Sequence, residues 1–251
     1  MKTLEEKFIS TKSIRRSTWI SFILFGIFIM GCIGSWIWLK SQPLVDGTLS
    51  PLRKMLSFNE FVFGNLQGSQ KKATVYTSKE AVTQVRVNGD AGLGDNFDTS
   101  TWKLQIIKSN LDTLYLGIDE IRLLPPTEII FDFKCIEGWN QVTRWRGVRF
   151  SDFIQKYGLL KESELYYTGL VTPDKEYYVG IDRKSMLNPQ TILCYEMNGA
   201  PLPMNQGAPL RLIIPVKYGI KHLKRIGTIF FSNEKPKDYW FERGYDYYSG
   251  L

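Results

Sequence analysis

The most uniform hydrophobic stretch of the chain runs from Trp19 to Leu39, 21 residues without a charged side chain. A helix rises about 1.5 Å per residue, so a stretch of this length spans roughly 30 Å, the thickness of one hydrocarbon core. Two further tryptophans, Trp36 and Trp38, would lie with Trp19 at the two membrane interfaces. The pattern therefore predicts one N-terminal transmembrane helix.

Basic residues flank this predicted helix unevenly. Five Lys or Arg precede it, whereas Lys40, Arg53 and Lys54 follow within a short distance. This bias favours an N-terminus inside the cell and export of the rest. We interpret residues 1–18 as a cytoplasmic tail and 19–39 as the single-pass anchor of an inner-membrane protein whose main domain is periplasmic or otherwise extracytoplasmic. A cleaved signal peptide is the alternative, but the apolar run is long for one and no small-x-small pattern closes it.

After the anchor the hydrophobic pattern changes twice. Residues 40–80 are mixed and polar with short apolar patches, and we interpret them as a linker and entry segment. From about residue 81, short runs rich in β-branched and aromatic residues predict strands. These runs are VTQVRVN (82–88), WKLQIIKS (102–109), TEIIFDFKC (127–135), ELYYTGLV (164–171), EYYVGI (176–181), LRLIIPVKYG (210–219) and GTIFFS (227–232).

Helical segments are fewer and shorter than the strand runs. DEIRLLPP begins at Asp119, a natural N-cap, and is stopped by Pro125. SDFIQKYG has Ser151 as its predicted cap and ends at Gly158. The sequence thus predicts a mixed, strand-rich α+β domain over residues 81–251.

Charge and residue usage then restrict the functions. The formal net charge of +7 is mild and suits an anionic ligand. No Lys- or Arg-rich run occurs, so we expect no nucleic-acid partner. His222 is the single histidine, which leaves zinc sites, Ser-His-Asp triads and a bis-histidine haem poorly supplied.

One cysteine follows an alternating strand pattern. In EIIFDFKC, Phe131, Phe133 and Cys135 fall on one face, so Cys135 ends the strand facing inward. The chain continues into Gly138 and a basic, tryptophan-rich segment that we interpret as a turn. Two interpretations stay open from this spacing: a small buried apolar residue, or a thiol at a site built by the following loop.

The two other cysteines carry less information. Cys32 lies in the predicted anchor, and Cys194 lies 59 residues beyond Cys135. An oxidising compartment would allow a disulfide between Cys135 and Cys194, but one pair is no disulfide framework. Cys194 matches no motif, so we interpret it as a core residue.

Two longer blocks carry a resemblance. PPTEIIFDFKCIEGWNQVTRWRGVRFSDFI (125–154) resembles the segment around the metal-ligating cysteine of the sulfite oxidase superfamily of molybdopterin enzymes. NGAPLPMNQGAPLRLIIPVKYGIKHLKRI (198–226) is similar to the pterin-binding stretch of the same superfamily. The bacterial methionine-sulfoxide-reductase catalytic subunit type is the nearer likeness. With weaker matches at VRVNG (85–89) and FNEF (58–61), the likeness covers about residues 56–232.

The resemblance implies a Mo-molybdopterin cofactor and makes Cys135 the only protein ligand of the molybdenum. A soft thiolate suits such a metal. Glu137 matches an acidic residue near the metal, where it would gate protons or position substrate, so Cys135 and Glu137 are the catalytic candidates. The candidates for cofactor binding on the same basis are Asn59, Glu60, Cys135, Thr168, Gln206, Arg211, Lys217, His222 and Lys224.

Several of these candidates have a stated chemical role or a departure from the family pattern. Arg211 would fork onto phosphate or pterin oxygens, and Lys224 would supply a point charge. Gln206 stands where the reductase type has asparagine and sulfite oxidases have histidine, and His222 stands where the family often has a small polar residue. Thr172 lies close enough to Thr168 to confuse the register.

The reaction implied by the resemblance is oxygen-atom transfer coupled to two electrons, with a small-molecule oxygen-atom donor or acceptor. The CIEGW segment favours a reductase acting on an S-oxide or N-oxide. Electrons would come from a membrane haem or quinol-linked protein, or from a soluble cytochrome. The alternatives are a sulfite-oxidising enzyme of the same fold, a non-catalytic anchored module with a decayed site, and a thiol oxidoreductase. The last of these lacks a resolving cysteine at short spacing.

Overall fold

The first element of the structure is a long helix that stands apart from the rest of the chain. The structure is a computed structural model and describes residues 10–66, 71–94 and 97–251. Helix α1 (Thr11–Lys40) is capped by Ser10, and none of its residues is buried. By length and composition it can cross a membrane. It contains the predicted anchor and begins eight residues earlier.

The segment that we interpreted as a linker contains regular structure. A hairpin of β1 (Leu44–Val45) and β2 (Thr48–Leu49) leads into helix α2 (Ser50–Leu66). The inner face of α2 carries Arg53, whose guanidinium donates to the backbone carbonyls of Phe241 and Tyr245 at 2.9 Å each. These contacts fasten the helix to the C-terminal part of the domain.

The first sheet of the main domain is antiparallel and has the order β10–β9–β6–β5, with β11 also paired to β9. Its strands are β5 (Pro126–Lys134), β6 (Asn140–Arg149), β9 (Ile192–Met197), β10 (Ala200–Pro201) and β11 (Arg211–Ile213). The interpretation of the tryptophan-rich segment as a turn is therefore wrong for residues 140–149, which form the ten-residue strand β6. It pairs with β5 without a break in register, and its side chains alternate between the two faces of the sheet.

The second sheet has the order β4–β3–β12–β7–β8, and only its β3–β12 pair is parallel. Its strands are β3 (Leu104–Ile107), β4 (Thr113–Leu116), β7 (Tyr167–Val171), β8 (Tyr178–Asp182) and β12 (Thr228–Ser232). The short helices are α3 (Ile118–Arg122), α4 (Phe150–Lys156), α5 (Leu160–Ser163) and α6 (Arg183–Met186), with 3-10 turns at Met204–Gln206, Gly219–Lys221 and Phe241–Arg243. The predicted mixed, strand-rich α+β fold is confirmed.

Other local predictions also differ from the structure, and the strands β4 and β9 match none of the predicted runs. VTQVRVN (82–88) forms no strand and is held instead by single hydrogen bonds, such as Val82 N–H to the Val142 carbonyl at 2.9 Å. Helix α3 starts after Gly117, and α4 starts after Arg149 instead of Ser151. Each helix begins slightly earlier than its polar cap signal indicated.

Two hydrophobic cores hold the sheets. The larger core joins both sheets through residues such as Leu104, Ile229 and Leu193. The smaller core contains Phe131 and Cys194 from the first sheet. Cys194 is thus a core residue as predicted, and burial raises the pKa of its thiol to about 12. All three cysteines are free thiols, so the suggested disulfide is absent.

Gly147 lies at a β-bulge where β6 approaches β9 too closely for a side chain. A Cβ atom there would lie 2.1 Å from the Leu193 carbonyl oxygen. We expect Gly147→Ala to destabilise the domain by about 1–3 kcal/mol, because backbone atoms cannot rotate away. Urea unfolding would measure this. Gly64→Ala in α2, where a Cβ meets no atom within 4 Å, is the control and should be neutral or slightly stabilising. Equal unfolding midpoints in the two variants would contradict the prediction.

Candidate functional site

An open cavity lies where β5 turns towards β6. It is open to solvent at its mouth and has a wall that is more apolar than polar, as is usual for sites that take a small ligand or cofactor. Its wall combines the end of β5, residues 85–91, the loops between 206 and 224, and aromatic side chains near the C-terminus. Six of the predicted site residues line it: Cys135, Glu137, Gln206, Arg211, His222 and Lys224.

Cys135 is fixed by the turn that follows β5. Its N–H donates to the Trp139 carbonyl at 2.9 Å, and the N–H of Gly138 donates to the Cys135 carbonyl at 3.1 Å. Gly138 has φ = 91°, a left-handed conformation that glycine adopts without steric cost. The Cys135 side chain is only 7% exposed, yet it lines the cavity with Sγ 3.8 Å from Nδ2 of Asn88. The thiol is therefore both shielded and held in place.

Glu137 lies exposed at the cavity, two residues beyond the thiol. Nε1 of Trp139 donates to its Oε2 at 3.1 Å. Hydrogen bonds from Asn88 and Trp139, helped by the charge of Arg86, hold the pKa of the Glu137 carboxyl below its usual range. The carboxylate is ionised at neutral pH, so it is better suited to positioning a substrate than to donating a proton.

Arg211 is a buried cation with a donor to spare. Its guanidinium lies 4.6 Å from the centre of the Trp145 ring, and Nη1 donates to the Gln206 backbone carbonyl at 3.0 Å and side-chain oxygen at 2.7 Å. Burial lowers the pKa of Arg211 to about 10, so it stays protonated at neutral pH. Its Nε has no partner in the described part of the chain. An unsatisfied buried donor costs about 1–3 kcal/mol, and an acceptor that reached this atom would remove that cost.

Lys224 supplies a second cation to the same cavity. Its Nζ donates to the carbonyls of Asn88 and Gly89 at 2.8 Å each. An ammonium group has three N–H donors, so one remains for a ligand. Burial, together with the charge of Arg211, lowers the pKa of Lys224 to about 8. The group is still mostly cationic at neutral pH.

His222 lines the cavity but has both ring nitrogens engaged. Nδ1 accepts from the Ile214 N–H at 3.4 Å, so Nε2 carries the proton and donates to the Lys217 carbonyl at 3.2 Å. Burial, then the charge of Arg211, lowers the pKa of His222 to about 3. Its ring centre lies 4.7 Å from that of Phe133. The imidazole is a neutral packing group in the cavity wall, with no nitrogen left for a phosphate.

Four other predicted cofactor-binding residues lie outside this cavity. Asn59 is exposed on α2, and Thr168 is buried within β7. Glu60 pairs with Lys235 at 2.8 Å. The fourth, Lys217, has a buried ammonium group. For Asn59 and Glu60, the sequence likeness was loose and the helix directs the side chains elsewhere.

Lys217 is buried in an ion pair at the far side of its loop. Its Nζ lies 2.7 Å from Oδ2 of Asp182 and donates to the Tyr248 carbonyl at 2.8 Å. Burial lowers the pKa of Lys217 to about 8, while Asp182 opposes that shift. Lys217 therefore holds the loop to β8 and the C-terminal segment, and does not reach the cavity.

Sequence reasoning missed several lining residues. Asn88 lies in the weakly matching VRVNG segment, which was the one available signal for it. Tyr177 donates to the Ile220 carbonyl at 2.6 Å, and burial raises its pKa, so it lines the cavity as a neutral phenol. Trp240 and Tyr245 come from a C-terminal segment beyond the matched blocks.

The donor set fits the cofactor that the resemblance implies. The Cys135 thiol, the Arg211 guanidinium and the Lys224 ammonium belong to residues that line one cavity. A metal bound to a phosphate-bearing pterin needs these three kinds of donor. The fold and the site together define a molybdopterin-binding oxidoreductase.

A family model described as an oxidoreductase molybdopterin binding domain matches residues 91–240. The chain belongs to this family of the sulfite oxidase superfamily. The predictions of a molybdenum-dependent oxidoreductase and of a Mo-molybdopterin cofactor are confirmed. The likeness to the methionine-sulfoxide-reductase catalytic subunit type is confirmed by the relatives that follow.

Three curated relatives are similar over much of the chain. A putative protein-methionine-sulfoxide reductase subunit of Azospira oryzae is 31% identical over 205 residues, covering 80% of this chain and 76% of the relative. A protein-methionine-sulfoxide reductase catalytic subunit of Campylobacter jejuni is 32% identical over 162 residues, 59% of this chain and 54% of the relative. The same-named subunit of Xanthomonas campestris is 28% identical over 207 residues, covering 77% and 58%. The chain thus spans little more than half the length of the last two.

A solved structure shares the fold. The sulfane dehydrogenase SoxCD of Paracoccus pantotrophus superposes with a TM-score of 0.50, covering 56% of this chain and 40% of that one. The sequence identity is 14%, so this likeness concerns the fold alone.

Proposed function

We propose that the chain is the membrane-anchored catalytic subunit of a reductase that removes oxygen from a sulfoxide, such as methionine sulfoxide, at a molybdenum ligated by Cys135. The observation that carries this is that the Cys135 thiol and the cations Arg211 and Lys224 line one cavity. The sulfoxide class comes from the names of the relatives. The reaction takes two electrons and two protons and yields a thioether and water.

Five residues of the cavity have a role in this proposal. When bound, the cofactor supplies oxygen-atom-transfer and two-electron chemistry. Cys135 would hold the metal as a thiolate, while Arg211 and Lys224 would bind the anionic part of the pterin. Gln206 orients Arg211 through its side-chain oxygen, 2.7 Å from Nη1. His222 excludes water from the wall beside them.

Glu137 favours sulfoxide reduction over sulfite oxidation. Its ionised carboxylate stands at the cavity beside the thiol. Like charges repel, so this carboxylate opposes a sulfite anion, against the attraction of the cations Arg86, Arg211 and Lys224 of the same cavity, whereas a neutral sulfoxide is not repelled. The wall beside it is aromatic, with the Trp139 ring between Phe133 and Arg86. Such a wall suits the apolar carbons on either side of a sulfoxide.

Helix α1 supports the membrane anchor. Its apolar side chains are exposed along its whole length, which is unfavourable in water and favourable in a bilayer. The flanking charges favour a catalytic domain on the extracytoplasmic side. The only histidine is buried with both nitrogens engaged, so electrons would come from a membrane haem or quinol-linked protein, or from a soluble cytochrome.

The test is to express the full chain in a host that makes the cofactor and to isolate it from membranes. We expect about one molybdenum per chain, as one thiolate ligand implies, and reduction of methionine sulfoxide with a dye as electron donor. Loaded protein that oxidises sulfite but does not reduce sulfoxides would reverse the proposed direction. Protein without molybdenum would support a non-catalytic module.

A further inference from the structure

Helix α2 presents an apolar face away from the domain. Leu52, Met55 and Phe58 are 45%, 60% and 59% exposed. Their spacing of three residues places them along one side of the helix. Lys54 is exposed on the same helix. A helix with exposed apolar and basic residues is typical of segments that lie in a membrane interface.

Contacts on the opposite side fix this orientation. The buried Arg53 donates to the carbonyls of Phe241 and Tyr245, and its guanidinium lies 4.1 Å from the centre of the Phe241 ring. Glu60 pairs with Lys235 at 2.8 Å. Turning the apolar face inward would break all of these contacts. The face is therefore held outward by the fold.

The chain connection identifies the occupant of this face. Only residues 41–49 separate the end of α1 from the start of α2, and the β1–β2 hairpin folds part of that length back on itself. Nine extended residues reach at most about 30 Å, so α2 starts close to the end of the anchor. That end carries Trp36 and Lys40, residue types that favour the membrane interface. The two are in contact, with Nζ of Lys40 4.9 Å from the centre of the Trp36 ring.

We infer that the outward face of α2 lies in the surface of the lipid bilayer, so that the catalytic domain is docked on the membrane and does not swing on a tether. This rests on the anchor in the proposed function. Arg53 joins α2 to Tyr245, which lines the cavity. The docked helix therefore sets one wall of the cavity at a fixed place relative to the membrane.

The experiment uses the cofactor-loaded full chain in vesicles of phosphatidylcholine and phosphatidylglycerol. An environment-sensitive fluorophore is attached at Phe58→Cys in a Cys32→Ala background, in which Cys135 and Cys194 are buried. Quenching by a lipid carrying a nitroxide near its headgroup is compared with quenching by aqueous iodide. The control attaches the same fluorophore at Leu111→Cys, which is 81% exposed in the turn between β3 and β4.

At position 58 we expect the lipid nitroxide to quench at least about twofold more than at position 111, and iodide to quench correspondingly less. Equal iodide quenching at both positions would place α2 in water and overturn the inference. Protection at position 58 from both quenchers would show that a protein surface covers the helix, which also overturns it.

Labels elsewhere separate this inference from the proposals that it uses. Natural Cys32, labelled in the parent chain, reports whether α1 lies in lipid. A lipid-accessible Cys32 with a water-exposed position 58 would reject docking and keep the anchor. Molybdenum content and sulfoxide turnover are measured on the same samples. If the samples contained no molybdenum and did not reduce sulfoxides, the catalytic proposal would be rejected, and the quenching result would still stand.

Discussion

Cys135→Ser is expected to abolish sulfoxide reduction while leaving the fold largely intact. Oxygen replaces sulfur at a buried position of nearly the same size, so packing changes little. The hydroxyl is a harder and much less acidic ligand than the thiol. Removal of a residue that only supports a metal ligand lowers metal affinity or activity by about 10–100-fold. Loss of the sole ligand should therefore lower turnover by more than about 100-fold.

The measurements are turnover with a dye donor, molybdenum content and the spectroscopic signal of the metal. Cys194→Ala is the matched control, because this thiol is fully buried in the smaller core and does not line the cavity. It should lose some stability and keep its metal signal. A Cys135→Ser protein with full turnover and an unchanged metal signal would remove Cys135 as the ligand.

Arg211→Ala is expected to lower cofactor retention more than it lowers the stability of the chain. A charge-assisted hydrogen bond is worth about 1.5–3 kcal/mol, or roughly 10–100-fold in retention. The empty chain loses the Nη1 hydrogen bonds to Gln206 and the contact with Trp145, so its stability falls as well; the loaded chain loses the contact with the cofactor in addition. Arg211→Lys keeps the charge but removes the planar guanidinium group, so its cofactor retention should lie between those of the parent and of Arg211→Ala.

Molybdenum retained after gel filtration and the urea unfolding midpoint would measure the two effects. Arg53→Ala is a suitable control, because Arg53 is also a buried arginine but does not line the cavity. It should lower the unfolding midpoint without comparable loss of metal. Equal occupancy in Arg211→Ala and the parent would remove Arg211 from the cofactor site.

The sequence predicted the centre of the site better than its edges. Alternation along β5 placed Cys135 inward, and the structure has it buried at the cavity. Arg211 was predicted from the resemblance of residues 198–226 to a pterin-binding stretch, and it is buried beside Gln206. These positions were accessible because a short-range pattern or a matched block specifies each of them.

The rest depended on contacts between distant parts of the chain. Lys217 looked equivalent to Lys224 in sequence, but Asp182 from β8 draws its ammonium away from the cavity. Tyr245 reaches the cavity from a segment outside the matched blocks. No local pattern records such encounters.

Two elements were missed although local signals existed. In β6 the arginines suggested a turn, but Arg144 and Arg146 form ion pairs with Glu128 and Glu196 on neighbouring strands. A basic strand is stable when its neighbours supply acids. Helix α2 has apolar residues every three positions from Leu52 onward, a helical period that was overlooked among polar neighbours.

Lys224 has a consequence for the order of assembly. Its ammonium group bridges the carbonyls of Asn88 and Gly89 and keeps one donor for the cofactor. The same side chain thus fastens residues 88 and 89 to the cavity wall and would offer its remaining donor to an anion bound in the cavity. One ammonium group therefore serves two purposes, so that binding of the anionic cofactor and the ordering of this part of the wall are coupled: whichever is established first positions Lys224 for the other.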